Sequence, residues 1–169
     1  MNQRVLFPAA IIAARVESLA ADLAALPDPP QRLIAVLTGA FVFAADLARA
    51  LARQGRDLPV DWLWLSSYSN ARRRGALTLR AEPLAALEGE HILLIDGVLD
   101  SGSTLVQAIT LLQQQGARKV TTAVVIDKQL ALAKLRADHA CFCAVDAFIA
   151  GYGMDDQGLG RGQGDIIAL

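Results

Sequence analysis

The sequence is poor in the residues that build disulfide frameworks, metal cages and nucleic-acid platforms. Its 169 positions hold two cysteines, two histidines and 5% aromatic residues. Cys141 and Cys143, two apart, would face the same side of a strand, and such neighbours make poor disulfide partners. With no matching histidine pair they form no zinc site, so two small buried thiols in a reducing cytosol is the simplest reading. A surplus of charge is missing too: 16 basic residues face 17 acidic ones, for a net charge of −1. That balance gives no global pull toward nucleic acid or an acidic membrane, and neither is expected as a partner. Arg72, Arg73 and Arg74 form the one basic run, a solvated loop or an anion contact. Long hydrophobic runs are absent as well, despite a mean hydropathy of +0.37. The most apolar stretch, residues 33–45, contains Thr38 and Gly39 and is followed by Asp46 and Arg49. It falls short of the ~20 residues a spanning helix needs.

What is present is a globular α/β pattern, with 54% hydrophobic residues alternating between strand and helix spacing. Ile12, Val16, Leu19 and Leu23 recur at helical intervals, with Pro8 acceptable near the start. Arg4 and the apolar residues after it imitate a secretory signal, but the helical pattern runs on past any plausible cleavage point. Residues 33–37 read as a strand, 41–51 as a helix closed by Gly55, and 60–66 as a second strand. In that strand Trp62 and Trp64 share one face and Leu63 and Leu65 the other, which implies cover on both sides. Residues 76–80 suit an edge strand or hairpin arm, and 91–95 the clearest strand of all. Residues 104–115 form a helix on Leu105, Ala108, Ile109 and Leu112, stopped by Gly116. Residues 119–126 and 147–150 complete the strands, and a glycine-rich stretch follows. No repeat and no second domain is evident, so residues 1–169 read as one domain. Such alternation implies an open, mostly parallel twisted sheet flanked by helices, with right-handed crossovers.

In an open parallel sheet, ligands bind beyond the carboxyl ends of the strands. There the strand at 91–95 runs into Asp96-Gly97-Val98-Leu99-Asp100-Ser101-Gly102-Ser103-Thr104, and a helix begins. Gly102 permits a tight turn, Ser101, Ser103 and Thr104 offer hydroxyls, and the helix's first turn presents unpaired N–H groups. This is an anion cradle. It lacks the lysine and spacing of a Walker A loop, and so suits a phosphate monoester held by neutral donors. A simple helix cap would need only Asp100 or Ser101.

The segment ILLIDGVLDSGSTL, residues 92–105, resembles the phosphoribosyl-pyrophosphate signature of type I phosphoribosyltransferases. Four further segments are similar to the hypoxanthine-guanine branch and fall in its order: LIAVLTGAFVFAADLARAL, VDWLWLSSYSN, VIDK and FIAGYGMD. The resemblance covers nearly the whole chain. It implies the type I phosphoribosyltransferase fold, with a small hood formed by N- and C-terminal segments. It implies a cytoplasmic purine-salvage enzyme that makes IMP or GMP and pyrophosphate from 5-phosphoribosyl 1-pyrophosphate and a 6-oxopurine. Mg²⁺ would be the cofactor and a homodimer or homotetramer the assembly.

Carried over by position, Ser101, Gly102, Ser103 and Thr104 would hold the 5-phosphate and Asp100 would be the general acid/base at purine N7. Asp96 would meet the ribose hydroxyls or Mg²⁺. Thr38, Gly39 and Arg161 would bind pyrophosphate, with Asp155 near the magnesium it carries. Lys128 would donate to the purine O6, Phe148 would stack on the base, the Ile149 backbone would read its edge, and Asp155 would belong to the purine site as well. Residues 67–80, with the Ser67-Tyr68 pair, match a flap that closes over the site. Taken singly, Lys128 reads as a surface lysine, Phe148 as core, and Arg161 as part of a flexible loop. Two positions depart from the pattern. Gly97 stands where the family usually has a second acid, and Thr38 where it often has lysine. Both losses leave room for an impaired paralogue that senses or regulates through nucleotide binding.

Overall fold

A computed structural model describes residues 4–67, 77–81 and 86–169. The chain runs β1 (Arg4–Phe7), α1 (Ala9–Ala24), β2 (Arg32–Val36), α2 (Phe41–Arg53), β3 (Val60–Ser67) and β4 (Leu77–Ala81). It continues through β5 (His91–Leu99), α3 (Ser103–Gln114), β6 (Lys119–Asp127), β7 (His139–Cys143), β8 (Ile149–Ala150) and β9 (Ile166–Ala168). Six strands form the main sheet in the order β4-β3-β2-β5-β6-β7. All neighbours are parallel except β3 and β4, so the arm expected at 76–80 is an antiparallel edge strand.

Alternation along the central strands sends side chains to two cores. Leu33, Ala35, Leu93 and Ile95 join Ile12, Val16 and Leu23 of α1 and Phe43 and Leu47 of α2 on one face. Ile34, Val36, Ile92 and Leu94 join Leu105, Ala108 and Leu112 of α3 on the other. Each buried Leu, Ile, Val or Phe side chain among these stabilises the fold by ~1.5–3 kcal/mol, which fixes the strand register.

β3 is covered differently from expectation. Leu63 is buried, but Trp62 and Trp64 are 39% and 38% exposed. α2 packs mainly over β2 and β5, and among the described residues no helix packs extensively on β3, one strand nearer the edge. Cys143 also departs from the reading of two buried thiols: Cys141 is buried and Cys143 exposed, both free. The chain leaves the sheet there, with Ala144 at φ 56. No helix among the described residues is long and apolar enough to cross a membrane.

The second sheet is the hood. β1 pairs antiparallel with β9, which pairs antiparallel with β8. Asp165, just before β9, accepts a 2.8 Å hydrogen bond from the Ala9 N–H, using a first-turn amide of α1 to tie helix to hood. Strands β1, β7 and β9 are five residues or fewer, too short for a periodicity to stand out in the sequence. β5 runs four residues past its expected end, with Asp96, Val98 and Leu99 paired to β6. Residues 96–99 are therefore strand, and the loop proper begins at Asp100.

Candidate active site

Three strand ends and the hood enclose a cavity of about 330 Å³. The turn after β2 supplies Thr38 and Gly39, the end of β5 supplies Asp96 and Asp100, and the residue after β6 is Lys128. The hood contributes Phe148, Ile149, Asp155 and Arg161. Nine residues singled out from the sequence thus meet on one wall system, at the carboxyl edge where the parallel topology places ligands.

Two side chains reverse their isolated readings. Phe148 is 60% exposed, an open ring and not part of the core. The Lys128 side chain is only 14% exposed, and its Nζ lies 3.5 Å from Asp100 Oδ2. The Lys128 N–H donates to the Leu99 carbonyl at 3.0 Å, which anchors the lysine to the strand that delivers Asp100.

Asp96 Oδ1 accepts the Gly97 N–H at 2.7 Å. Burial pushes its carboxyl up to about 7, against the opposing hydrogen bond from the Gly97 N–H. The adjoining Gly97 leaves little room for a side chain: a Cβ there would stand 3.1 Å from Gly39 O and 3.2 Å from Met154 Cγ. The Leu37–Thr38 peptide before Gly39 is cis.

Arg161 is not loosely held. Its Nη2 lies 2.6 Å from Asp155 Oδ1, and its Nη1 donates to Gly153 O at 2.8 Å. The second carboxylate oxygen of Asp155 accepts the Gly158 N–H at 2.7 Å.

Ser101, Gly102, Ser103 and Thr104 follow Asp100 just outside the cavity wall. Gly102 takes the left-handed conformation at φ 75 and starts α3 without a side-chain cap. The Ser101 hydroxyl donates to Ser103 Oγ at 3.2 Å and accepts a long 3.4 Å contact from the Ser103 N–H. The loop is braced from behind, since the Lys134 N–H donates to Ser101 O at 2.9 Å and Leu135 packs against Gly102. In the flap, Ser67 ends β3, while Tyr68 lies outside the described residues. Sequence reasoning missed Val98 and Met154, which also line the cavity. Both are apolar residues without a chemical signal, although Met154 lies inside the motif FIAGYGMD.

A cradle at a helix start, a two-sided parallel sheet and a hood over the strand ends define a type I phosphoribosyltransferase. Residues 5–157 match the model of the phosphoribosyl transferase domain. The chain is 31% identical to the hypoxanthine-guanine-xanthine phosphoribosyltransferase of Tritrichomonas foetus, over 90% of this chain and 84% of that protein. It is 31% identical to the hypoxanthine-guanine phosphoribosyltransferase of Bacillus subtilis (strain 168), over 90% and 85%. The hypoxanthine phosphoribosyltransferase of Trypanosoma cruzi, solved in complex with the product IMP, superposes with a TM-score of 0.88 at 27% identity, covering 98% of this chain and 93% of that one. The chain belongs to the hypoxanthine-guanine phosphoribosyltransferase family.

Proposed function

We propose that this chain, acting as one domain, transfers a 5-phosphoribosyl group from its pyrophosphate donor to N9 of hypoxanthine or guanine and releases pyrophosphate. The observation that carries the reading is the placement of Asp100 beside a largely buried Lys128, in a cavity that the open ring of Phe148 also lines. A purine stacked on Phe148 presents O6 to the Lys128 ammonium, a donor that an adenine amino group would oppose. The Ile149 backbone reads the base edge. Asp100 accepts the N7 proton as N9 attacks the sugar, a general-base role that keeps the base from accumulating charge. Ser101 to Thr104 and the first amides of α3 hold the 5-phosphate. The Thr38–Gly39 turn and Arg161 receive the departing pyrophosphate, while Asp96 accepts hydrogen bonds from the ribose hydroxyls.

The donor set suits Mg²⁺ held jointly with substrate oxygens. Among the described residues no cluster of three or more His, Cys, Asp or Glu side chains could hold a metal alone. Asp96 has one donor on one oxygen, and each Asp155 oxygen has one partner, so both keep lone pairs for a hard cation that also takes phosphate and water. When bound there, the ion neutralises charge on the pyrophosphate leaving group. Two free thiols suit the cytoplasm, and the resemblance favours a homodimer or homotetramer.

The test is direct. Purified protein is mixed with the donor, Mg²⁺ and hypoxanthine, guanine, xanthine or adenine in turn, and nucleotide is measured. IMP and GMP are expected, and AMP is not. A second reading rests on Gly97 and Thr38, which remove one acid and one cation from the family pattern. Nucleotide binding without any product would favour that reading, a sensor or regulator.

A further inference from the structure

Three consecutive residues in the hood take positive φ: Gly151 at 94°, Tyr152 at 49° and Gly153 at 93°. Glycine adopts that conformation freely, and neither glycine has room for a side chain. A Cβ on Gly151 would stand 2.0 Å from Asp165 O, and one on Gly153 2.7 Å from Gly39 O. Tyr152 is different. A bulky residue there is a genuine outlier, kept only where its surroundings over-determine it.

Those surroundings are specific. The ring is buried in the core beneath α1 and α2, and its hydroxyl donates to Asp46 Oδ2 on α2 at 2.8 Å. Its N–H donates to Gln163 O at 2.7 Å. Burial and the neighbouring carboxylate both raise the phenol's pKa, so it remains a donor. The next residue, Gly153, lies where a Cβ would run into the Gly39 carbonyl, accepts from the Arg161 guanidinium and donates its N–H to Arg161 O at 2.9 Å. Met154 and Asp155 then enter the cavity wall. Asp46 lies on the helix that starts directly after the Thr38–Gly39 turn. One hydrogen bond therefore joins the helix behind one wall to the loop that forms the other.

We infer that Tyr152, acting through Asp46, is a positioning residue that sets the spacing between the Thr38–Gly39 turn and the Met154–Asp155–Arg161 wall, and thereby the affinity for the pyrophosphate end of the donor. This rests on the phosphoribosyl-transfer reading of the cavity. Tyr152 touches no substrate and acts on binding, not on the chemical step.

The experiment measures pyrophosphate and donor dissociation constants by calorimetry, with KM for donor and base and kcat beside them. Tyr152→Phe keeps the ring and removes the hydroxyl, and Asp46→Ala removes the acceptor. Each weakens pyrophosphate and donor binding by about tenfold, the effect of losing one charge-assisted hydrogen bond. Base KM and kcat stay within about twofold, and the double variant is no worse than either single one, as coupled partners require. Asp46→Asn, whose amide oxygen still accepts, restores most of the affinity. Arg49→Ala, which removes the ion pair to Asp46 but leaves Tyr152 its acceptor, changes nothing. Unchanged pyrophosphate affinity in Tyr152→Phe overturns the inference, as do equal losses for donor and base. Wild-type protein that binds pyrophosphate but makes no nucleotide refutes the transfer reading alone, and the variant ratios still decide this one. Wild-type protein that binds neither pyrophosphate nor donor refutes both.

Discussion

The Lys128 ammonium stands 3.5 Å from the Asp100 carboxylate, with the lysine side chain 14% exposed and the aspartate 59%. The cation is fixed in the wall while the carboxylate projects into the cavity mouth. Asp100→Asn should keep that geometry and lower kcat at least ~10²-fold, as loss of a general base does. Steady-state turnover of hypoxanthine checks this, and wild-type kcat would dismiss the role. Lys128→Met should instead raise the KM for hypoxanthine and narrow its preference over adenine.

Phe148 offers a separation that core residues do not. With 60% of its surface exposed, it has little burial to lose, so Phe148→Ala should leave the thermal midpoint nearly unchanged. Loss of stacking should raise base KM about tenfold, given ~1–3 kcal/mol for a base on an aromatic ring. A large drop in midpoint would mean the ring packs inward after all.

Gly97 invites repair by the acid the family usually carries, and the structure predicts that the repair fails. A Cβ there sits 3.1 Å from the Gly39 carbonyl and 3.2 Å from Met154 Cγ. Gly97→Asp should destabilise by ~1–3 kcal/mol, the usual range for overpacking, and should lower kcat/KM. Denaturant unfolding and initial rates together check it; a faster, equally stable variant would contradict it.

His91 sits at the opposite end of β5, wholly buried, with Nε2 2.7 Å from Thr121 Oγ1. Burial lowers its pKa below 6.5, Lys119 and Arg118 add to that, and Asp28 opposes them. Below pH 6.5 the unfolded chain therefore binds the proton more readily than the folded one, and stability falls as pH drops from there toward the folded pKa. The slope is at most ~1.4 kcal/mol per pH unit. Asp28 and Glu90, held low by Arg118 and Arg32, lose their contributions only at more acidic pH. Between pH 7 and 5 the wild-type midpoint should fall relative to that of His91→Asn; the difference isolates this histidine from Asp96, whose carboxyl, raised to about 7, stabilises the folded state on protonation in both proteins.

The main architecture was legible because central strands carry apolar residues on both faces and helices carry them every third or fourth position. Leu33 to Val36 and Ile92 to Ile95 admit no other reading once α2 and α3 follow them. The exposure of Trp62 and Trp64 was not legible, because hydrophobicity does not say where a covering helix stops. In the site, Asp96, Asp100 and the hydroxyls of residues 101–104 stood out by their chemistry, while Thr38, Lys128, Asp155 and Arg161 came only with the family resemblance. Met154 and the Tyr152–Asp46 bond did neither, since an apolar wall and a contact across 106 residues leave no local pattern.

In the hood, Val5 pairs with Ile167, and Ala150 pairs with Ile167 from the other side. A strand made early in synthesis must wait for one made very late before the platform under Phe148 and Ile149 can settle. Closing so long a loop is slow, so the nascent chain can form its main sheet and the turn into α3 well before the hood that carries Phe148 and Ile149.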